Sequence, residues 1–395
     1  MTLINSVLGS IGTYFMSVFV LPVTVIRKLE SLRARFFWGA DDGDRRMHWI
    51  RWDRVLASPH EGGLGVGSLL SFNRAMVFKW WWRFKHSHDA LWVRVVKAIY
   101  GNDGGGGVAG NILRSKGPWS GVIKLMGQLR KRELDLRQLC PIRIGNGLST
   151  SFWQDTWIGD KPLRDAFPRD VEGLRREPRG GAEQEQWSAF QDRMEEVSLM
   201  DVADRMGWLG DTTDLFSVSS ARKWLDNQIL YGSGKETRWK SWIPIKVNVL
   251  LWRILNGVLP SRERLSARGI MVDSIMCPVC LGTVESIDHI LAGCTQLVEV
   301  WGRIAIWWGV DLPATISVAS FIAWSDSLRA NASQRKVFDA VVVTTFWVLW
   351  NFRNNTIFGA QIPKKSTIFD DVVDRSFFWI SNRCKKVKLK WGSWL

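Results

Sequence analysis

The chain has 395 residues and a net charge of +15, from 53 Lys and Arg against 38 Asp and Glu, and it holds 25 tryptophans beside only 3 tyrosines. With 46% apolar and 23% charged residues it is not a disordered chain, and its length exceeds what one hydrophobic core usually fills. Five unevenly spaced cysteines exclude a disulfide-scaffolded secreted module, and without a secretory signal a reducing compartment is expected, intracellular and either nuclear or cytoplasmic, with no choice between them. The positive charge sits at the two ends: +11 over residues 1–165, −4 over 166–235 and +6 over 311–395. Such a field suits a polyanionic partner.

Taken in chain order, Leu3 to Ile26 is uncharged and long enough to span a bilayer, but it is interrupted by polar residues, two glycines and Pro22. It reads as a buried amphipathic helix pair, not an anchor, and it lacks the basic start of a signal peptide. A helix is expected over 22–38, burying Val25, Ile26, Leu29, Leu32, Phe36 and Phe37, with Arg27, Lys28, Arg33 and Arg35 on the other side. Another is expected from about Leu69 to Phe84. Residues 101–110, with six glycines, and residues 168–186 read as linkers. Asn146-Gly147 between short β-prone pieces predicts a hairpin near 144–157. From Ser217 onward apolar residues return at helical spacing, and Ala340 to Trp350 is expected to be a core helix.

The strongest chemical signal is Cys277-x2-Cys280-x8-His289-x4-Cys294. Two cysteines three positions apart can turn their sulfurs onto one ion, and a His and a Cys five positions apart can approach from a helix start. Four S/N ligands suit tetrahedral Zn²⁺ and fill its shell, so the site is structural, with Asp288 or a backbone carbonyl available to the second imidazole nitrogen. Cys140 and Cys384 read as ordinary thiols, and His86 and His88 as solvated groups at a helix end. No P-loop, Gly-x-Ser-x-Gly elbow or His-Glu-x-x-His is present.

Trp242-Ile-Pro-Ile-Lys-Val-Asn-Val-Leu-Leu-Trp252-Arg253, Leu259-Pro260 and Leu265-Ser-Ala-Arg268-Gly269 lead into the Cys/His series, and Trp301 follows it. Together they resemble the zinc-binding domain of plant LINE-type (non-LTR) retrotransposon reverse transcriptases, whose start Phe216-Ser217-Val218 resembles. Pieces of the first 100 residues, among them Phe36-Phe-Trp-Gly39, His48-Trp49-x-x-Trp52 and Gly62-Gly-Leu-Gly65, resemble the region downstream of the polymerase palm. Phe152-Trp153-x-Asp155-x-Trp157 and Trp347-x-x-Trp350-x-x-Arg353-Asn354 extend the likeness over nearly the whole chain. The resemblance implies the C-terminal part of an RNA-directed DNA polymerase. A polymerase needs carboxylates from two motifs to hold two metal ions. Asp41 and Asp42 follow Gly39 where the family has an aromatic residue, and too few residues precede them for palm strands. The chain alone is therefore expected not to be an enzyme, with no catalytic residues and no small-molecule substrate.

What remains is binding of RNA or single-stranded nucleic acid, through Arg27, Lys28, Arg33 and Arg35, through Lys246, Arg253, Arg262, Arg264 and Arg268 around the metal motif, and through Lys385, Lys386, Lys388 and Lys390 in the tail. A few tryptophans, such as Trp391 and Trp394 in that tail, are expected as stacking residues, and most of the others as core. The alternative is a structural or non-functional transposon remnant that binds nothing. The expected fold is mainly α (α+β) in four parts: a helical thumb-like region at 1–100, a linker-rich middle with short β-hairpins at 101–215, a helical zinc domain at 216–310, and a helical extension with a basic tail at 311–395.

Overall fold

The computed structural model describes residues 12–39, 48–87, 89–105, 117–159, 161–167, 181–195, 197–232, 236–384 and 390–394. Among them the fold is mainly α, with a single two-stranded antiparallel ladder. The chain divides into two compact units, Met1–Gly234 and Lys235–Leu395. Much of the linker at 101–110 and of that at 168–186 lies outside the described residues, as do Asp41 and Asp42.

The first unit is built around α4 (Leu69–His86), on which α1 (Thr13–Val18), α2 (Val23–Trp38), α6 (Pro118–Arg130) and α9 (Val218–Ile229) pack. The Ser68 hydroxyl caps α4 by accepting from the amides of Leu70 and Ser71, and Arg83, Lys85 and His86 complement the negative end of its dipole. The core of this unit centres on Phe78 and Trp208, both fully buried, and the Trp208 indole N–H donates to the Ser220 hydroxyl at 2.8 Å. Asn73, buried in α4, fixes the α1–α2 connection. Its amide donates to the carbonyls of Met16 and Phe19 and its oxygen accepts from the Leu21 amide. Of the helix pair expected over 3–26, residues 3–11 lie outside the described residues, and the remainder forms α1 and the start of α2. It leaves Tyr14, Phe15 and Phe19 exposed, and no described helix is long and apolar enough to cross a membrane.

Helix α2 is rotated relative to the sequence expectation. Ile26, Arg33 and Ala34 are buried, whereas Val25, Leu32 and Phe36 are 41–50% exposed. The reason is polar. The Arg33 guanidinium reaches the Glu30 carboxylate at 3.0 Å and the Gly67 carbonyl at 3.2 Å, while the other Glu30 oxygen accepts from the Leu69 amide at 2.7 Å. This network ties α2 to the start of α4 and outweighs the more apolar face.

The hairpin expected over 144–157 is not formed. Instead β1 (Ile142–Arg143) pairs with β2 (Arg205–Met206), more than 60 positions later. Asn146-Gly147 lies in a loop whose amides converge on the carboxylate of Asp204: Gly145 and Gly147 donate to one oxygen, and Ser149 and the Thr150 hydroxyl to the other, at 2.8–3.0 Å. Short helices α3 (Trp52–Leu56), α5 (Leu91–Tyr100), α7 (Leu163–Ala166) and α8 (Ala182–Glu195) complete the unit.

The second unit contains α10 (Ile245–Leu255), α11 (Arg262–Ser266), α12 (Val298–Trp308), α13 (Val318–Ser327), α14 (Ala332–Phe358) and α15 (Ile368–Arg383). Capping boxes start α13 at Ser317 and Ser320 and α14 at Asn331 and Gln334. The 27-residue α14, about 40 Å long at 1.5 Å per residue, is the centre of the unit, with α10, α13 and α15 packed against it. The run Ala340–Trp350 is core, as expected, and its buried hydroxyls Thr344 and Thr345 bond back to the carbonyls of Ala340 and Val341. This helix explains why the zinc-bearing segment and the C-terminal extension form one unit: the buried side chains of both belong to one continuous core.

Candidate metal centre

Cys277 and Cys280 stand on a tight turn. The Cys277 amide donates to the Thr283 carbonyl at 2.7 Å, the Leu281 amide returns to the Cys277 carbonyl at 2.9 Å, and Met276 bridges Val284. Leu281 closes the turn at φ 58°, in the left-handed region that a branched side chain seldom occupies. His289 and Cys294 lie at the two ends of one π-helical turn, His289–Gly293. That wider turn carries the x4 spacing, placing the cysteine just beyond the last helical residue.

The four side chains converge. Their ligand atoms all lie within 4.8 Å of one another, with Cys277 Sγ 4.0 Å from Cys294 Sγ and Cys280 Sγ 3.3 Å from His289 Nε2. A tetrahedral zinc with bonds of about 2.3 Å to sulfur and 2.0–2.1 Å to nitrogen separates its ligand atoms by roughly 3.4–3.8 Å, so the constellation fits the ion. Among the described residues it is the one group of three or more His, Cys, Asp or Glu side chains placed to hold a metal. The hydrogen bond from Cys294 pulls the Cys277 thiol down to about 5, assisted by the amides of Cys280 and Val279. Cys294, which holds that shared proton, is pushed up. Such a pair gives up one proton readily, and a metal ion displaces the second. Cys277, Cys280, His289 and Cys294 hold one zinc, and with four protein ligands its role is structural.

Around the ligands the chain is tied down by groups outside the motif. The Ser286 hydroxyl accepts from the His289 amide at 3.0 Å. Asp288, one of the two partners offered for the imidazole beside a backbone carbonyl, accepts from the Val318 amide at 2.8 Å, at the start of α13. Glu285, fully buried, takes a two-pronged ion pair from Arg353 of α14, with N···O distances of 2.5 and 2.8 Å, and accepts from the Arg262 amide at 2.7 Å. Trp301, also fully buried, donates to the Leu291 carbonyl and stacks on Phe321 at 3.9 Å. Neither Glu285 nor the ion-pairing role of Arg353 was expected. The signal was a lone Glu inside the Cys/His series and an Arg within the apolar α14, two charges that cannot be buried apart.

The basic residues divide by exposure. Arg27, Lys28, Lys246, Arg264, Arg268 and Lys390 are exposed. Arg33 is withdrawn by the Glu30 network, so it does not face solvent as expected. Arg35 is half-buried, and Arg253 is half-buried with Nε lacking a hydrogen-bond partner, its pKa lowered by burial. Arg262 is held by the Met276 carbonyl at 2.8 Å and braces the cysteine turn. Lys385, Lys386 and Lys388 lie outside the described residues, as does His88. His86 stacks on Trp82 at 4.1 Å and bonds its carbonyl. Trp394 is not free to stack on a ligand: it is 6% exposed, donates to the Val373 carbonyl and packs edge-on against Trp307. Trp391, 42% exposed beside Phe377, stays at the surface.

Residues 216–301 match the family model described as zinc-binding in reverse transcriptase. An Arabidopsis thaliana protein that carries the name of a ribonuclease H protein is 26% identical over 91% of this chain. The chain spans 60% of that relative's length. An uncharacterized mitochondrial protein of the same plant is 29% identical over 38% of the chain and 95% of its own length. No solved structure matches.

Proposed function

We propose that the chain, whose residues 216–301 match the zinc-binding domain of reverse transcriptase, belongs to a C-terminal region of the plant retrotransposon type and is a zinc-stabilised module that holds RNA or single-stranded DNA without itself polymerising. The observation that carries this reading is the exposed pair Arg264 and Arg268, presented at and just beyond the short helix α11. That helix is braced onto the cysteine turn through Arg262 and Glu285. Zinc thus fixes a turn, the turn fixes α11, and α11 presents cations at a set spacing. Lys246 adds a further exposed charge on α10. Contacts of this kind follow the phosphate backbone, so their affinity falls with salt and varies little with sequence.

The test is fluorescence anisotropy of a labelled single-stranded RNA against the full chain at several salt concentrations. The logarithm of affinity should fall linearly with the logarithm of salt. The double variant Arg264→Gln/Arg268→Gln should make the slope shallower by about 0.7 per lost contact. Absence of binding, or binding insensitive to salt, would overturn the reading.

A further inference from the structure

We propose that a cleft between α14 and α15 is a pocket for one nucleobase of a single strand. The inference deepens the nucleic-acid reading and rests on it. The cleft has a volume of about 240 Å³ and is lined by Trp347, Asn351, Phe352 and Asn355 from α14 and by Asp371 and Arg375 from α15. Its size falls below the roughly 300–1,000 Å³ of sites that enclose a whole small-molecule ligand, and it suits a single ring system.

Three features point to a base. The Asn351 amide nitrogen is buried without a hydrogen-bond partner, in a helix whose buried threonine hydroxyls are all bonded. An orphaned buried donor is costly, and because Asn351 lines the cleft, rotation of its amide toward a ligand acceptor would satisfy it. Planar surfaces form the wall: Trp347 lines the cleft, and the Arg375 guanidinium, 5.0 Å from the indole centroid, lies over the ring. With Arg375 laid over the indole and Trp379 edge-on to it at 5.4 Å, an entering base meets the guanidinium plane, which stacks on nucleobases. The Lys246 ammonium also lies over Trp347, at 4.8 Å, and is exposed. It can take the phosphate flanking a base seated in the cleft. Asp371, 3.7 Å from Arg375, is partly neutralised by it and offers an acceptor to an exocyclic amino group.

The experiment compares a short single-stranded RNA with an abasic phosphodiester strand of the same length, each titrated against the full chain. The base-bearing strand should bind several-fold tighter. Asn351→Ala and Asn351→Leu should each bring its affinity several-fold closer to the abasic level without changing abasic binding or the salt slope and without lowering the melting temperature. Removing an unsatisfied donor has no hydrogen bond to lose, so these variants are expected to fold. Equal binding of the two strands by the unmodified chain, or an undiminished difference in both variants, would overturn the pocket while leaving phosphate binding intact. Failure of both strands to bind would remove the pocket together with the reading it rests on.

Discussion

Glu285 and Arg353 are 68 positions apart and both almost fully buried, so each neutralises a charge that the interior would not tolerate alone. Arg353→Met should cost about 3–5 kcal/mol in denaturant unfolding, because it strands the Glu285 carboxylate. The double variant with Glu285→Gln should regain part of that loss, and a single variant within 1 kcal/mol of the parent would contradict the account. Asp204 makes the corresponding bond set in the first unit. Desolvation would raise its pKa, but the donors from Gly145, Gly147, Thr150 and Ser149 win and hold it well below the ordinary carboxylate range. A depressed pKa stabilises the fold above the unfolded value, about 3.9, and that contribution fades as pH falls through the folded value. Hydrogen exchange at the amides of Gly145, Gly147 and Ser149 should therefore stay slow near pH 5, and Asp204→Ala should make it fast at that pH. Equal protection in the variant would show that the loop holds without the carboxylate.

At the scale of elements, the cysteine turn depends on backbone geometry as much as on its ligands. Leu281 at φ 58° carries a steric cost of about 1–2 kcal/mol. Leu281→Val, with a branched Cβ, should weaken zinc binding by about tenfold in competition with a chromogenic chelator, while Leu281→Gly should preserve it; equal affinities would contradict the strain argument. The metal ligands were legible because Cys-x2-Cys and His-x4-Cys are local spacings that only a turn and a helical turn need realise. Helix positions for α2, α4 and the core of α14 were legible for the same reason. The orientation of α2 was not, because Arg33 and Glu30 are buried by partners 34 and more positions away. The hairpin failed likewise: Asn146-Gly147 marks a turn correctly, but Asp204, about 60 positions on, decides what the turn pairs with. In both cases a long-range polar contact overrode a local apolar pattern.

At the scale of the molecule, the division into two units cuts across the family match. Residues 216–301 begin with α9, which packs on α4 in the first unit, whereas the metal ligands sit in the second. The second unit extends far beyond the match, because the zinc turn has its ion pair, and much of its core, from α14. The tryptophan excess belongs to the same picture. Trp208 and Trp301 are fully buried and Trp394 nearly so, leaving Trp347 and Trp391 among those with reach toward solvent. Packing explains most of the indoles, and the case for nucleic acid rests on exposed cations held in place by a metal-braced turn.

That brace is the central claim, and zinc removal tests it most directly. Elemental analysis of the purified chain should find one zinc per molecule, absent in Cys277→Ser/Cys294→Ser. Stripping the metal with a strong chelator should collapse the near-ultraviolet signal of the buried tryptophans and lower the melting temperature, with recovery on adding Zn²⁺. A chain that keeps its melting temperature and tryptophan signal without metal would contradict it.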